Sequence, residues 1–180
     1  YHQPIGAKRK WELINKEILE LSARELQTES KHIEYIFNFE KRSAIDDFLL
    51  SLSSPQYQSD WKVREAIRKV IRSMAYTGNF VIVGRAGAQI TRDLDNTLHV
   101  RLVAPESWRI RQVMETYQTS EKLATRKVRE MDTNRKKLLR EFSKDAECEY
   151  CYDAYFNLKY LTHHQVISDI IHLMQLKKLI

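Results

Sequence analysis

Apolar and polar positions along the chain predict short strands that alternate with helices. Residues 10–14 (KWELI) alternate loosely and predict a strand, after which Asn15 can cap a helix that extends to about Gln27. Residues 80–83 (FVIV) form a continuous apolar strand, and residues 98–103 alternate again. Continuous apolar strands between helices indicate a parallel sheet that is covered on both faces.

The remaining pattern adds helices around these strands. Helical spacing predicts a long helix from Ser59 to about Thr77, with Gly78 placed to end it. Pro105 starts a further helix with Glu106 in its first turn. Three more elements follow: a helix from Thr119 or Ser120 to about Phe142, a strand over residues 153–159, and a helix from Thr162 to about Lys177. This order predicts an α/β fold, a three-layer α/β/α sandwich around a mainly parallel sheet.

The composition fits a single domain. With 180 residues, of which 43% are hydrophobic, the chain can form one core, so we expect one domain over residues 1–180. Residues 28–58 give no clear assignment. No apolar run approaches the roughly 20 residues that a membrane span needs, and the first residues lack the apolar core of a signal peptide. We therefore expect a cytoplasmic protein without a membrane partner.

Two cysteines, Cys148 and Cys151, have the C-x-x-C spacing of redox and zinc motifs. Zinc needs four ligands, and the adjacent His163 and His164 do not follow the usual finger spacing. We expect two ordinary reduced thiols.

Positive charge is concentrated in one predicted helix. The formal net charge is +6, and residues 120–144 contain nine basic and four acidic residues. Five basic residues of this segment share a helix face: Lys122, Arg126, Arg129, Lys136 and Arg140. An approximate apolar stripe lies elsewhere on the helix: Ala124, Val128, Met131, Leu138 and Phe142. Several guanidinium groups on one helix can converge on a polyphosphate, although a solvated helix face is the alternative.

The stretch NFVIVGRAGAQITRD (residues 79–93) places Gly84 and Gly87 between a strand and a helical pattern. Anions bind where a helix begins beyond the carboxyl end of a parallel strand, and Arg85 would add a fixed cation there. A P-loop, however, requires G-x-x-x-x-G-K-[ST], and neither this stretch nor the rest of the sequence contains it. The alternative is a tight turn with an exposed arginine. The sequence also gives no general acid/base pair and no catalytic triad.

A resemblance to a known family rests on three stretches: VIVGRAGAQITRDLDNTLHVRLVAPESWRIRQVMETY, KVREMDTNR and YDAYFNLKYLTHHQVISDII. Together they resemble the cytidylate kinase-like family of P-loop kinases over most of the chain. The positions that match the family's motifs are Gly84 with Arg85, Arg109, Asp132 with Arg135, and Asp153 with Asn157. KWELINKEIL is also similar to a family segment, with Asn15 where an Asp is usual.

The resemblance implies a nucleoside monophosphate kinase fold with a P-loop kinase-type sheet and a basic helical lid over residues 119–144. It implies ATP and Mg²⁺, and transfer of the γ-phosphoryl group to a nucleoside monophosphate or another small phosphate acceptor. Arg85, Arg109 and the pair Asp132/Arg135 would bind the acceptor. Arg126 and Arg129, together with Arg135, would act on the transferring phosphates.

The start of the chain departs from the family pattern. Members begin with a strand, a P-loop and a helix before the segment that KWELI matches, and this chain has only nine residues there. YHQPI resembles the entry to the first strand, whereas GAKRKWELI resembles the end of the first helix and the second strand. We therefore expect a P-loop segment of about two dozen residues to be missing between Ile5 and Gly6.

Two other classes of function remain open from the sequence. One is a non-catalytic nucleotide-binding or regulatory protein of the same fold, and the other is a nucleic-acid-binding module that uses the basic helix. The acceptor cannot be read from the sequence. The aromatic-rich residues 32–39 could form a homodimer surface.

Overall fold

The computed structural model of the chain describes residues 10–15, 17–30, 60–143 and 149–180. Its elements, in chain order, are β1 (Glu12–Ile14), α1 (Glu17–Glu25), α2 (Asp60–Thr77), β2 (Phe80–Ile82), α3 (Gly87–Thr91), β3 (Val100–Val103), α4 (Glu106–Tyr117), α5 (Glu121–Phe142), a 3₁₀ turn (Glu149–Cys151), β4 (Ala154–Asn157) and α6 (His163–Leu176). The elements predicted from the pattern in these ranges are confirmed, and the strands are shorter than expected. The Ile5–Gly6 junction and residues 32–39 lie outside the described residues.

Local signals explain where the helices begin and end. Gly78 has φ 77°, in the left-handed region, and its N–H donates to the Met74 carbonyl at 3.0 Å, which ends α2. Thr162 caps α6 through a capping box, because its hydroxyl accepts from the Gln165 N–H while the Gln165 side chain accepts from the Thr162 N–H. These ends fix the positions of β2 and β4 relative to their helices.

The four strands form two parallel pairs. β1 pairs with β2, with Ile14 opposite Ile82, and β3 pairs with β4, with Leu102 opposite Phe156. Parallel pairing is therefore confirmed, but the described strands form two two-stranded sheets rather than the single sheet that the sequence predicts.

The expectation that both faces of the sheet are covered is wrong for part of each pair. The side chains of Leu13, Val81 and Leu102 are 68%, 47% and 51% exposed. Parallel strands are ordinarily buried on both faces. The described part of the fold therefore leaves apolar strand surface uncovered on both pairs.

The main core lies between α1, α2 and α3. Ile18, Ile67, Ile71 and Ile90 are fully or almost fully buried there. Burying a side chain of this size contributes about 1.5–3 kcal/mol. The last turns of α5 also enter this core through Leu139 and Phe142, so one end of the basic helix is anchored by apolar packing.

The apolar stripe predicted on α5 is only partly right. Three of its residues are buried as expected: Ala124, Val128 and Phe142. Met131 is 60% exposed, however, and Leu139, which the predicted stripe did not include, is buried. A period of 3.6 residues leads from Val128 to residue 132 and then to Leu139. The inward position of the middle turn therefore belongs to Asp132.

A polar network ties the amino ends of β3 and β4 to two helices. The backbone N–H of His99 donates to Asp153 Oδ2 at 2.6 Å, and Lys177 Nζ donates to Asp153 Oδ1 at 3.0 Å. His99 Nε2 lies 2.8 Å from Thr91 Oγ1. Burial lowers the pKa of His99, and nearby Lys177 acts in the same direction, whereas Asp153 opposes them. The folded protein therefore favours a neutral His99.

We expect this histidine to make stability depend on pH. The unfolded chain binds a proton at this side chain near the ordinary pKa of about 6.5, but the folded protein does so only at lower pH. The stability that a neutral His99 contributes is thus fully present above about pH 6.5 and is lost as the pH falls through the lowered pKa, at no more than about 1.4 kcal/mol per pH unit.

Urea unfolding between pH 7.5 and 5.5 measures this effect in wild type, in His99→Gln and in the control His172→Gln, which removes an exposed histidine of α6. The free energy of unfolding should fall less with decreasing pH in His99→Gln than in wild type, and it should fall as much in His172→Gln as in wild type. An equal pH dependence of the unfolding free energy in all three proteins would contradict this role of His99.

Candidate functional site

A strained turn presents Arg85 at the carboxyl end of β2. Gly84, Arg85 and Ala86 have φ values of 70°, 53° and 57°, so three consecutive residues are left-handed. For the two residues with a Cβ this conformation costs about 1–2 kcal/mol each. A Cβ on Gly87 would lie 3.3 Å from Ile82 Cγ2, so this glycine lets α3 begin close against β2.

Arg85 reaches from this turn towards the neighbouring strand. Its Nε donates to the Asn15 carbonyl at 3.4 Å. Asn15 follows the last residue of β1, so the contact joins the carboxyl ends of two parallel strands. Ligands of open α/β sheets bind beyond the carboxyl ends of the strands. The structure therefore places Arg85 at the edge where the sequence predicts it.

Three of the predicted site residues come together between α4 and α5. Arg109 donates from both terminal nitrogens to the two oxygens of Asp132, at 2.9 and 2.8 Å. Arg135, one turn further along α5, places Nη2 3.3 Å from Asp132 Oδ1. One carboxylate is thus shared by two guanidinium groups, and the cluster keeps one net positive charge.

This pairing explains the inward position of Asp132 on α5. A carboxylate can occupy a packed helix face when a cation satisfies it there, and a bidentate guanidinium does so well. Arg109 supplies that cation from α4. Met131 is therefore turned outward, although its apolar side chain predicted the opposite.

Arg109 also binds the end of a strand. Its Nε donates to the Ala104 carbonyl at 3.2 Å, directly after β3. Three of its five N–H groups are thus used, two by Asp132 and one by Ala104. The guanidinium connects the carboxyl end of β3, α4 and α5 in one contact.

The other predicted arginines lie on the outside of α5. Arg129 Nε donates to Glu106 Oε1 of α4 at 2.9 Å, in an exposed ion pair. Arg126 and Arg129 line a shallow groove that runs along this helix, together with Glu121, Lys122, Thr125, Glu130 and Thr133. All of the lining residues belong to α5, so the groove is an exposed helix face and not an enclosed pocket.

The sequence did not identify Glu106 as a site residue. In the sequence it stands only as an acidic residue in the first turn of α4. The sequence does contain a signal for the ion pairs between the two helices. Glu106 and Arg109 are three residues apart on α4. Arg129 and Asp132 have the same spacing on α5 with the opposite order of charges, so each residue can meet an opposite charge on the other helix. Knowledge that the two helices pack together was needed to use it.

The last matching motif has structural partners. Asp153 accepts hydrogen bonds from the His99 N–H and from Lys177. Hydrogen bonds from these two groups outweigh the effect of burial, and they lower the pKa of Asp153. Asn157 Oδ1 accepts from the Lys159 N–H at 3.0 Å and closes the turn after β4.

The cysteine expectation is wrong at Cys151, which is disulfide-bonded. The C-x-x-C spacing is that of motifs that cycle between thiol and disulfide, which is the redox alternative noted above. Cys148 lies outside the described residues.

Within the described ranges, no group of three His, Cys, Asp or Glu residues could hold a metal ion. None of the helices in the described part of the chain is long and apolar enough to cross a membrane.

Comparison with known proteins adds a family to this geometry. No curated protein matches the chain significantly. A crystal structure of an uncharacterized protein from Eubacterium ventriosum is similar, with a TM-score of 0.61 and 20% identity over 91% of this chain and 83% of that one. This likeness concerns the fold alone.

The sequence profile of the cytidylate kinase-like family matches residues 5–160. This range includes Arg85, the cluster of Arg109, Asp132 and Arg135, and the outer face of α5. The chain therefore belongs to the cytidylate kinase-like family.

Proposed function

We propose that the protein transfers the γ-phosphoryl group of ATP to a nucleoside monophosphate or another small phosphate acceptor. The observation that carries this proposal is the cluster of Arg109, Asp132 and Arg135 beside the carboxyl end of β3. A net positive charge held in fixed geometry at this edge suits an anionic ligand. Arg85 supplies a second cation at the carboxyl end of β2.

The proposed reaction needs positioning and charge neutralisation more than covalent chemistry. An oxygen of the acceptor phosphate forms a bond to the γ-phosphorus, and the bond from that phosphorus to the β–γ bridging oxygen breaks, so that ADP leaves. Arg85 and Arg135 would hold the acceptor phosphate. Arg126 and Arg129 would face the transferring phosphates from the outside of α5.

The family implies a nucleotide and usually Mg²⁺, which neutralises phosphate charge when it is bound. The described residues offer cations for phosphate but no group of metal ligands. The roles proposed for the arginines do not depend on the ion.

The phosphate loop itself would come from the segment that we expect between Ile5 and Gly6. Two features of the structure support this part of the proposal. The described strands form two separate parallel pairs, and both pairs keep apolar side chains exposed. A further parallel strand with its following helix would pair with an open strand edge and cover such surface.

The protein should therefore contain about two dozen residues between Ile5 and Gly6. Sequencing of peptides that span Ile5 by mass spectrometry measures this directly. A peptide that continues from Ile5 straight into Gly6 would contradict the missing segment. It would favour the non-catalytic nucleotide-binding alternative.

Replacing Arg135 should impair phosphoryl transfer without unfolding the protein. Its side chain is 48% exposed and lies outside the core, so Arg135→Ala should keep the thermal midpoint within a few degrees. Loss of one fixed cation at the reacting phosphates should lower ATP turnover with a panel of nucleoside monophosphates by at least about 100-fold.

Arg111→Ala is the matched control, because it removes one positive charge from the exposed side of α4. Its turnover should stay near that of wild type. Unchanged turnover in Arg135→Ala would remove this residue from the site. Binding of long nucleic acid with a steep salt dependence, and no turnover, would instead favour a nucleic-acid-binding module.

A further inference from the structure

Arg109 and Asp132 are already satisfied by protein groups. Both oxygens of Asp132 accept from Arg109, and one of them also contacts Arg135. Arg109 is held in addition by the Ala104 carbonyl. An acceptor molecule that used either residue directly would have to break a bidentate ion pair between two half-buried side chains.

Arg135 differs from its two neighbours. The structure gives it one long contact, 3.3 Å to Asp132, and about half of its side chain is exposed. Most of its five N–H groups thus remain available to a ligand. The net positive charge of the cluster is therefore most accessible at Arg135.

We propose that Arg109 and Asp132 are positioning residues that orient Arg135 and do not themselves contact substrate. The chain of contacts runs from the Ala104 carbonyl through Arg109 to Asp132 and ends at Arg135. It fixes an exposed guanidinium relative to the carboxyl end of β3. This inference rests on the proposed function, because it assigns Arg135 an anionic ligand.

The direction in which Asp132→Asn changes anion affinity distinguishes a positioning role of Asp132 from a simple effect of its charge. Asp132→Asn removes a negative charge from a site for anions, and charge alone would therefore raise anion affinity. If Asp132 instead holds Arg135 in place, the same variant should lower affinity, because the amide no longer holds two guanidinium groups as a carboxylate does.

Inorganic tripolyphosphate is the first probe, measured with the intact protein by isothermal titration calorimetry. It has no sugar or base, so a loss of affinity cannot come from a lost contact to a ribose hydroxyl. We expect Asp132→Asn to bind about five- to tenfold more weakly than wild type. The matched control Glu115→Gln removes a negative charge from the exposed side of α4, outside the groove, and should bind equally well or up to about twofold more tightly.

A second pair of variants tests the same chain of contacts and serves if Asp132→Asn does not fold. Arg109→Lys keeps the charge but loses the planar fork, so it should also weaken binding. If Arg109 acts only through Arg135, adding Arg109→Lys to Arg135→Ala should cause no further loss. Losses that multiply would show an independent ligand contact and would overturn the proposal.

The outcomes distinguish this inference from the proposed function. Tighter binding by Asp132→Asn overturns the positioning role alone, since the site still binds anions. If wild type binds neither tripolyphosphate nor ATP, the proposed function fails, and the inference fails with it because Arg135 has no anion to meet.

Discussion

The carboxylate of Asp132 between two guanidinium groups is the interaction on which the candidate site depends. It lets a charged residue occupy the inward position of the middle turn of α5, between the buried Val128 and Leu139. If Arg109 were removed, the partly buried Asp132 would lose its bidentate partner and keep only the longer contact to Arg135, and such a loss costs more than an exposed ion pair contributes. Because Arg109 also holds the end of β3, the same contact sets where α5 lies relative to the sheet edge.

Two kinds of anchor therefore hold α5. Its last turns pack into the main core through Leu139 and Phe142, and its middle is held to α4 by ion pairs. The apolar anchor is insensitive to ligand charge, whereas the ion pairs lie where phosphate groups would compete for the same cations. The outer face of α5 is left to carry Arg126 and Arg129 in an open groove.

Much of the local structure could be predicted from the sequence, because caps and periodicity are local signals. Gly78 and Thr162 mark helix ends that the structure confirms. The resemblance matched Arg109, Asp132 and Arg135 to family motifs, and the structure brings these three side chains into contact. The sequence does not predict which residue pairs with which in this cluster. The pairing leaves Asp132 satisfied and Arg135 accessible, and it depends on the packing of α4 against α5.

The failures have the same physical origin. The apolar pattern predicts that Met131 faces the core, but the inward position belongs to a carboxylate whose cation comes from another helix. Glu106 was overlooked because its partner Arg129 is 23 residues away in sequence. The single covered sheet was expected from apolar runs, which do not say which strand pairs with which.

The most direct measurement of the central claim is a crystal structure of the intact protein with a non-hydrolysable ATP analogue and a nucleoside monophosphate. Phosphate oxygens should lie within about 2.7–3.2 Å of the Arg135 and Arg85 guanidinium groups, while Arg109 remains paired with Asp132. Nucleotides bound away from both arginines, or an Arg109 that leaves Asp132 to bind phosphate, would contradict this account.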